Sequence, residues 1–171
     1  WATTVGSTSP TPPRRLLVGR SVQAGTNGGM TWRGCAGAVG GALDFIRGAQ
    51  RSRGGLPIIA LPATAGAHSR IVARLNGPVT IPRSDAGLVI TEFGVADLRG
   101  KSDHAVIEAL LGIADSRFQD DLLRTAKDAG KIAKHYEIPR ERRANTPERI
   151  ARQLKPFRDE GLLPDFPFGT D

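Results

Sequence analysis

The residues whose types and spacing could do chemistry begin at Gly34-Cys35-Ala36-Gly37-Ala38-Val39-Gly40-Gly41 and run on into Ala42-Leu43-Asp44-Phe45-Ile46-Arg47-Gly48-Ala49. Four glycines fall within eight residues, followed by an apolar run of helical character. Glycine lets the backbone turn through positive φ and lets another molecule come close, because no Cβ intervenes. A glycine turn entering a helix also leaves the first backbone N–H groups without partners, an arrangement that favours an anion or an oxyanion. The spacing Gly37-x-x-Gly40-Gly41 is not the GxGxxG of a dinucleotide fold, and no Lys-Ser or Lys-Thr follows to make a phosphate-binding Walker loop. The competing reading is structural: a tight turn that packs a helix on a strand.

The other reactive side chains are sparse. Glu92 is the first glutamate in the chain and follows an apolar run, the place where α/β sites gather; strand-end carboxylates also serve simply to cap the next turn. Asp44 falls in the early turns of the expected helix, where it complements the positive end of the dipole. Glu108, Glu137, Glu141, Glu148 and Glu160 read as solvated charges. Cys35, the single cysteine, excludes an internal disulfide and fits a reducing compartment. No histidine neighbours it in sequence, so a small buried thiol is favoured over a nucleophile. His68, His104 and His135 show no metal-ligand spacing. Arg70, before Ile71-Val72, could meet a phosphate, with an ordinary surface arginine the plainer reading.

These residues need elements to hold them. The chain has 171 residues, 39% hydrophobic and 24% charged, with 21 Gly and 12 Pro, the composition of one loop-rich globular domain. The net charge of +7 is spread along the chain rather than gathered on one stripe. With 5% aromatic residues, stacking surfaces for nucleic acid are scarce. We therefore expect no nucleic-acid partner. No apolar run is long enough for a membrane span and nothing resembles a secretory leader, so no membrane partner and a cytoplasmic location are expected. The first residue is Trp1, which suggests a fragment or a processed form.

Residues 1–15 are rich in Thr, Ser, Gly and Pro and predict a mobile arm. Leu16 to Gly19 predicts a short strand, and residues 20–37 a loop with one short strand. A helix follows from Gly41 to about Arg51. Leu56 to Leu61 reads as a buried strand of a parallel sheet, followed by a loop at Pro62–Gly66. Val79–Ile81 reads as a short strand, Gly87–Thr91 as a strong one, and Val95–Leu98 as a short helix. Val106, Ile107, Leu110, Leu111 and Ala114 make one helical face. Ser116 with Gln119 reads as a capping box, and Gly130 as the stop of the helix that follows. Thr146-Pro147 opens a last helix, which Pro156 is expected to end or kink. The tail from Gly161 is expected to lie extended against the body. Strands alternating with helices predict an α/β fold with a helical C-terminal third.

Four blocks in order resemble one family. They are the glycine loop with Asp44-Phe45-Ile46-Arg47-Gly48-Ala49; Arg53-Gly54-Gly55-Leu56-Pro57-Ile58-Ile59-Ala60-Leu61-Pro62-Ala63-Thr64 with Ser69-Arg70-Ile71-Val72; Thr91-Glu92-Phe93-Gly94-Val95-Ala96-Asp97-Leu98-Arg99-Gly100-Lys101-Ser102; and Asn145-Thr146-Pro147-Glu148 through to Asp171. Together they resemble the C-terminal domain of the acetyl-CoA hydrolase/transferase family, related to acetate and 4-hydroxybutyrate CoA-transferases. The resemblance covers residues 20–171 and leaves 1–19 as a non-homologous arm.

The resemblance implies a NagB/RpiA/CoA-transferase-like open sheet with flanking helices, as the second of two such domains. It implies coenzyme A or acyl-CoA as substrate, a small carboxylate as co-substrate, no metal, an N-terminal CoA-transferase domain as partner, and a homo-oligomer for the intact protein. By the same resemblance a glutamate is expected to attack the thioester, and backbone N–H groups of Gly37, Gly40 and especially Gly41 to meet the developing oxyanion, with Asp44 and Glu92 in support. Three departures stand out. Gly37 and Ala38 replace the Ser-Gly or Asn-Gly that family members often carry. Thr64-Ala65-Gly66-Ala67 lacks a lysine often present in that loop. The nucleophilic glutamate belongs upstream of the matched region, where residues 1–19 contain none. Two alternatives stay open: a non-catalytic CoA-binding module that needs a glutamate-bearing partner, and a thioesterase that uses water with Glu92 or Asp44 as base.

Overall fold

The computed structural model describes residues 41–74 and 81–163, and the backbone of the short strands Leu17–Val18, Met30–Thr31 and Gly34–Cys35. These strands are β1, β2 and β3; β2 pairs with β3 antiparallel. Helix α1 covers Ala42–Arg51, β4 Ile58–Ala60, β5 Thr64–Ala65, β6 His68–Ser69, β7 Ile71–Val72, β8 Leu88–Thr91 and β9 Gly94–Asp97. Helices α2 (Asp103–Gly112), α3 (Ser116–Asp128) and α4 (Pro147–Asp159) follow. The expected helix over 41–51 and the strands at 17–18 and 88–91 are where the sequence puts them. Within 20–37 the described residues form two strand segments, where one is expected. The strand expected at 79–81 falls mainly outside the described residues, and Ile81 is not in a strand.

The central unit is a three-stranded mixed sheet, β4-β8-β9, in an α/β arrangement. β4 and β8 run parallel, Ile59 opposite Val89, and β8 and β9 antiparallel, Val89 opposite Ala96. Side chains alternate across such strands, so Ile59, Val89 and Ala96 face one way, onto α2 and α3. There they join Ile71, Ile107, Leu111 and Ile113 in a single core. The opposite face carries Ile58, Ala60, Leu88, Ile90 and Val95, of which Ile58 is 50% exposed and Val95 51%.

Three local expectations are corrected. Val95–Leu98 is not a helix: Gly94–Asp97 folds back on β8 as a strand, with Gly94 at φ +148° after the Glu92-Phe93 turn. Pairing with a buried strand decides the conformation there, and the short run Val-Ala-Asp-Leu does not reveal it. The 56–61 strand is parallel but half open, because among the described residues helices cover only one of its faces. Pro62–Gly66 is not all loop; Thr64 pairs with Ser69 and Ala65 with His68 in a small hairpin that turns at Gly66, φ +57°.

The start of α3 is corrected as well. Its N-cap is Asp115, whose carboxylate accepts the Arg117 N–H, and not Ser116. Ser116 Oγ donates to Arg143 O and accepts from Asn145 N, so its hydroxyl is spent on the 143–145 loop. Gln119 is buried and donates to Leu111 O and Arg142 O. The stop at Gly130 is as expected. With φ +63°, its N–H reaches Lys127 O and that of Lys131 reaches Ala126 O, the paired bonds of a Schellman ending. Thr146 caps α4 with Pro147 in its first turn, but Pro156 does not stop that helix. α4 buries no residue, so water can serve the Arg152 carbonyl that the proline leaves without its N–H. Residues 164–171 of the expected clamped tail lie outside the described residues; Leu162 and Leu163 are exposed.

Candidate functional site

Of the glycine loop, Gly41 is described, and Gly37 and Gly40 lie outside the described residues. Gly41 is the N-cap of α1, at φ −67° and ψ 9°, and contributes no side-chain cap. The first intrahelical bond is Phe45 N–H to Gly41 O at 3.0 Å, so the preceding amides of the first turn point out of the helix end. Asp44 sits in that first turn with its side chain in solvent. A Cβ at Gly41 would meet only the Phe45 ring, at 3.5 Å, which is ordinary contact. By contrast a Cβ at Gly55 would fall 2.0 Å from Ala49 O, and one at Gly87 would fall 2.4 Å from Pro57 Cγ. α1 is tied to the body lower down, where Arg47 Nε meets Asp85 Oδ2 at 3.0 Å and Gln50 Nε2 donates to Asp85 O at 3.1 Å.

Glu92 stands directly past β8. Its Oε2 accepts the Ala63 N–H at 2.7 Å, joining the end of β8 to the segment that leaves β4. Thr91, buried beneath it, donates its hydroxyl to Ile113 O at 2.8 Å and accepts the Phe93 N–H at 3.2 Å. Arg70 is half-buried, and its Nε donates to Thr64 O at 3.1 Å. The sequence reading placed Arg70 at a phosphate or on the surface, and missed this bond inside its own hairpin. Gly41 and Glu92 have no contact with one another in the structure's hydrogen bonds. Cys35 lies in β3 opposite Met30.

The three histidines do not form one group among the described residues. His68 is exposed in β6; His104, in the first turn of α2, has Nδ1 3.5 Å from Glu108 Oε1 and its ring edge-on to Tyr136; His135 is exposed beyond Gly130. Among the described residues no group of three or more His, Cys, Asp or Glu side chains gathers as metal ligands would. At the other end of the sheet a cleft of about 480 Å³ opens between Gly55, Pro57, Arg83, Gly87, Arg99 and Lys101. Its guanidiniums are engaged: Arg83 with Asp103, and Arg99 with both oxygens of Asp97. The Arg99 side chain and N–H hold the Asp97 carboxyl far below the usual carboxylate range. No helix among the described residues is long and apolar enough to cross a membrane.

Comparison with known proteins defines the class. The model of the acetyl-CoA hydrolase/transferase C-terminal domain matches residues 21–126. The chain belongs to that family, whose members are CoA-transferases and acyl-CoA hydrolases. A 4-hydroxybutyrate coenzyme A transferase of Clostridium kluyveri is 45% identical over 93 residues, 52% of this chain and 22% of that protein. A butyryl-CoA:acetate CoA-transferase of Anaerostipes caccae is 42% identical over 98 residues, 53% of this chain and 22% of that one. The crystal structure of RipA from Yersinia pestis superposes with a TM-score of 0.53 at 45% identity, over 55% of this chain and 22% of that one. The chain thus spans about a fifth of the length of these relatives.

Proposed function

We propose that this chain supplies the glycine-loop half of a CoA thioester site, within a NagB/RpiA/CoA-transferase-like fold, for acyl exchange between CoA and acetate or a similar carboxylate. Gly37, Gly40 and Gly41 present backbone N–H groups to the thioester oxyanion, and Asp44 braces the loop at the positive end of α1. The nucleophilic glutamate comes from a preceding CoA-transferase domain of the intact, homo-oligomeric, cytoplasmic protein. Its carboxylate attacks the thioester carbon and expels CoA thiolate, leaving an acyl-glutamyl anhydride. The thiolate then attacks the glutamyl carbonyl, releasing the first carboxylate and leaving a glutamyl-CoA thioester. Attack by a second carboxylate on that thioester continues the transfer, and water in its place gives hydrolysis. Glutamate is a weak nucleophile, so donors fixed in advance at the developing oxyanion carry much of the catalysis.

The observation that carries this reading is Gly41 itself. Among the described residues, neither its φ nor its packing requires glycine, since a Cβ there meets only the Phe45 ring at van der Waals distance. Among the described residues the helix start is thus left with room for a thioester at its free amides. Calorimetry with acetyl-CoA tests it on the 171-residue chain. We expect binding without turnover, and Gly41→Val should weaken it about tenfold while melting stays within a few degrees of wild type. Equal binding by the variant, or none by the wild type, refutes the reading.

A further inference from the structure

At the carboxyl edge of the mixed sheet, β4 and β8 finish side by side, Leu61 N–H donating to Ile90 O at 3.0 Å. The chain leaving β4 forms the β5–β6 hairpin, whose tip, Ala65-Gly66-Ala67-His68, is exposed and built largely of small residues. Arg70 braces this hairpin from within: its N–H donates to Ala63 O at 2.8 Å and its Nε to Thr64 O at 3.1 Å. Among the described residues the one side chain from outside the segment that holds it is Glu92, through Oε2 and the Ala63 N–H. Ala63 is 0% exposed, so without that carboxylate its N–H has no acceptor and no access to water. A carboxylate on a backbone N–H makes a stronger bond than a neutral acceptor. Glu92 therefore ties the base of the hairpin to the end of β8.

We propose that Glu92 is a positioning residue of the acyl-CoA site: by holding the Ala63 N–H it sets the β5–β6 hairpin, whose small-residue tip forms a wall against which the CoA thioester lies. This rests on the reading of the chain as half of an acyl-CoA site, and goes beyond it by giving Glu92 a task other than nucleophile or base. The carboxyl ends of parallel strands are where α/β sheets receive ligands. Ala, Gly and Ala at the tip keep side-chain bulk small there, with His68 at its end the one larger side chain.

The three substitutions Glu92→Gln, Glu92→Asp and Glu92→Ala separate the roles. Glutamine keeps a carbonyl acceptor at the same reach and loses the charge; aspartate keeps the charge and withdraws it by one methylene. Acetyl-CoA binding by the 171-residue chain should stay within about threefold for Gln and fall about tenfold for Asp and Ala. Hydrogen exchange of the amides from Ala63 to Arg70 should quicken in the Asp and Ala variants and stay slow in Gln. A base or nucleophile would give a different order in a thioester-loss assay: turnover by the wild type, with Gln inactive. That order overturns the assignment. So does binding that survives in Ala while the hairpin amides open, which would make the bond merely structural. If Glu92→Ala melts below the assay temperature, the Gln and Asp pair alone decides, and equal binding by those two refutes it. Absence of acetyl-CoA binding by the wild type refutes the site reading, and this assignment with it.

Discussion

Replacing Gln119 by methionine removes an amide from the turn between α2 and α3 at nearly constant length. Gln119 Nε2 lies 2.7 Å from Arg142 O, 2.9 Å from Leu111 O and 3.4 Å from Ala114 O. The three carbonyls lose unequally. Ala114 O keeps the Asn145 Nδ2 donor at 3.0 Å, and Leu111 O keeps the Ala114 N–H at 3.3 Å. Arg142 O has no second donor among the described residues. One orphaned carbonyl costs about 1–3 kcal/mol, and a weakened bond at Leu111 adds about 0.5–1 kcal/mol. The thioether offsets part of this by being easier to bury than an amide, which leaves a net loss of about 2 kcal/mol. Urea unfolding followed by far-ultraviolet circular dichroism reads it as a lower midpoint at unchanged slope. In a chain of this size the melting temperature should fall by about 4–8 °C. Asn145→Ala shares Ala114 O with Gln119, so the double variant should depart from additivity. A loss below about 0.5 kcal/mol, or strict additivity, would refute the view that these two amides jointly satisfy the carbonyls of the α2–α3 turn.

The buried Asp115 carboxyl is pushed up by desolvation, but its bonds to the Arg117 side chain and N–H and the Arg117 charge outweigh this and hold it below its ordinary value of 3.8. Its ion pair therefore stabilises fully above pH 3.8 and is lost as pH falls through the lower folded value. Asp115→Asn should cost about 1 kcal/mol at neutral pH, Arg117 being largely exposed, and the gap to wild type in urea midpoints should close below that pH. Gly130→Ala meets no neighbour within 4 Å yet must adopt φ +63°, so it should cost about 1 kcal/mol by backbone strain alone. Gly87→Ala needs no positive φ but meets Pro57 O at 2.6 Å, and should cost about 2–3 kcal/mol as β4 and β8 are forced apart. Ile58→Ser, on the open face of the sheet, should cost under about 1 kcal/mol, against about 2 kcal/mol for Val89→Ala on the covered face; equal losses would mean that both faces are packed.

The elements the sequence discloses are those whose cause is local. Gly130 marks a helix end because glycine permits its φ of +63°, and Thr146-Pro147 opens α4 because the hydroxyl caps Arg149 N–H while proline needs no donor in the first turn. Leu88–Thr91 is legible as a strand from its β-branched, apolar run. What stays hidden is set by partners far away in the chain. Val95–Asp97 becomes a strand only because β8 offers a free edge, and Gln119 turns from a capping residue into a buried donor only because residues 142–145 lie over the α2–α3 turn. The candidate site divides in the same way. Gly41 and Glu92 stand out by type and position, whereas the Glu92 bond to Ala63, twenty-nine residues earlier, leaves no mark in the local pattern.

The same long-range bonds join the α2–α3 turn to the candidate site. Glu92 is carried by Thr91, whose hydroxyl is fixed on Ile113 O, and Ile113 lies in the turn whose flanking carbonyls Gln119 and Asn145 hold. A site residue on a strand end is only as well placed as the layer beneath it. Loss of the Gln119 amide should therefore be felt at the hairpin, and not only in global stability. Local opening there should be more frequent in Gln119→Met, read as faster hydrogen exchange at Ala63 than at amides within β4, such as Ile59. If exchange rises uniformly in all of them, the substitution acts through global unfolding alone, and the turn does not support the site.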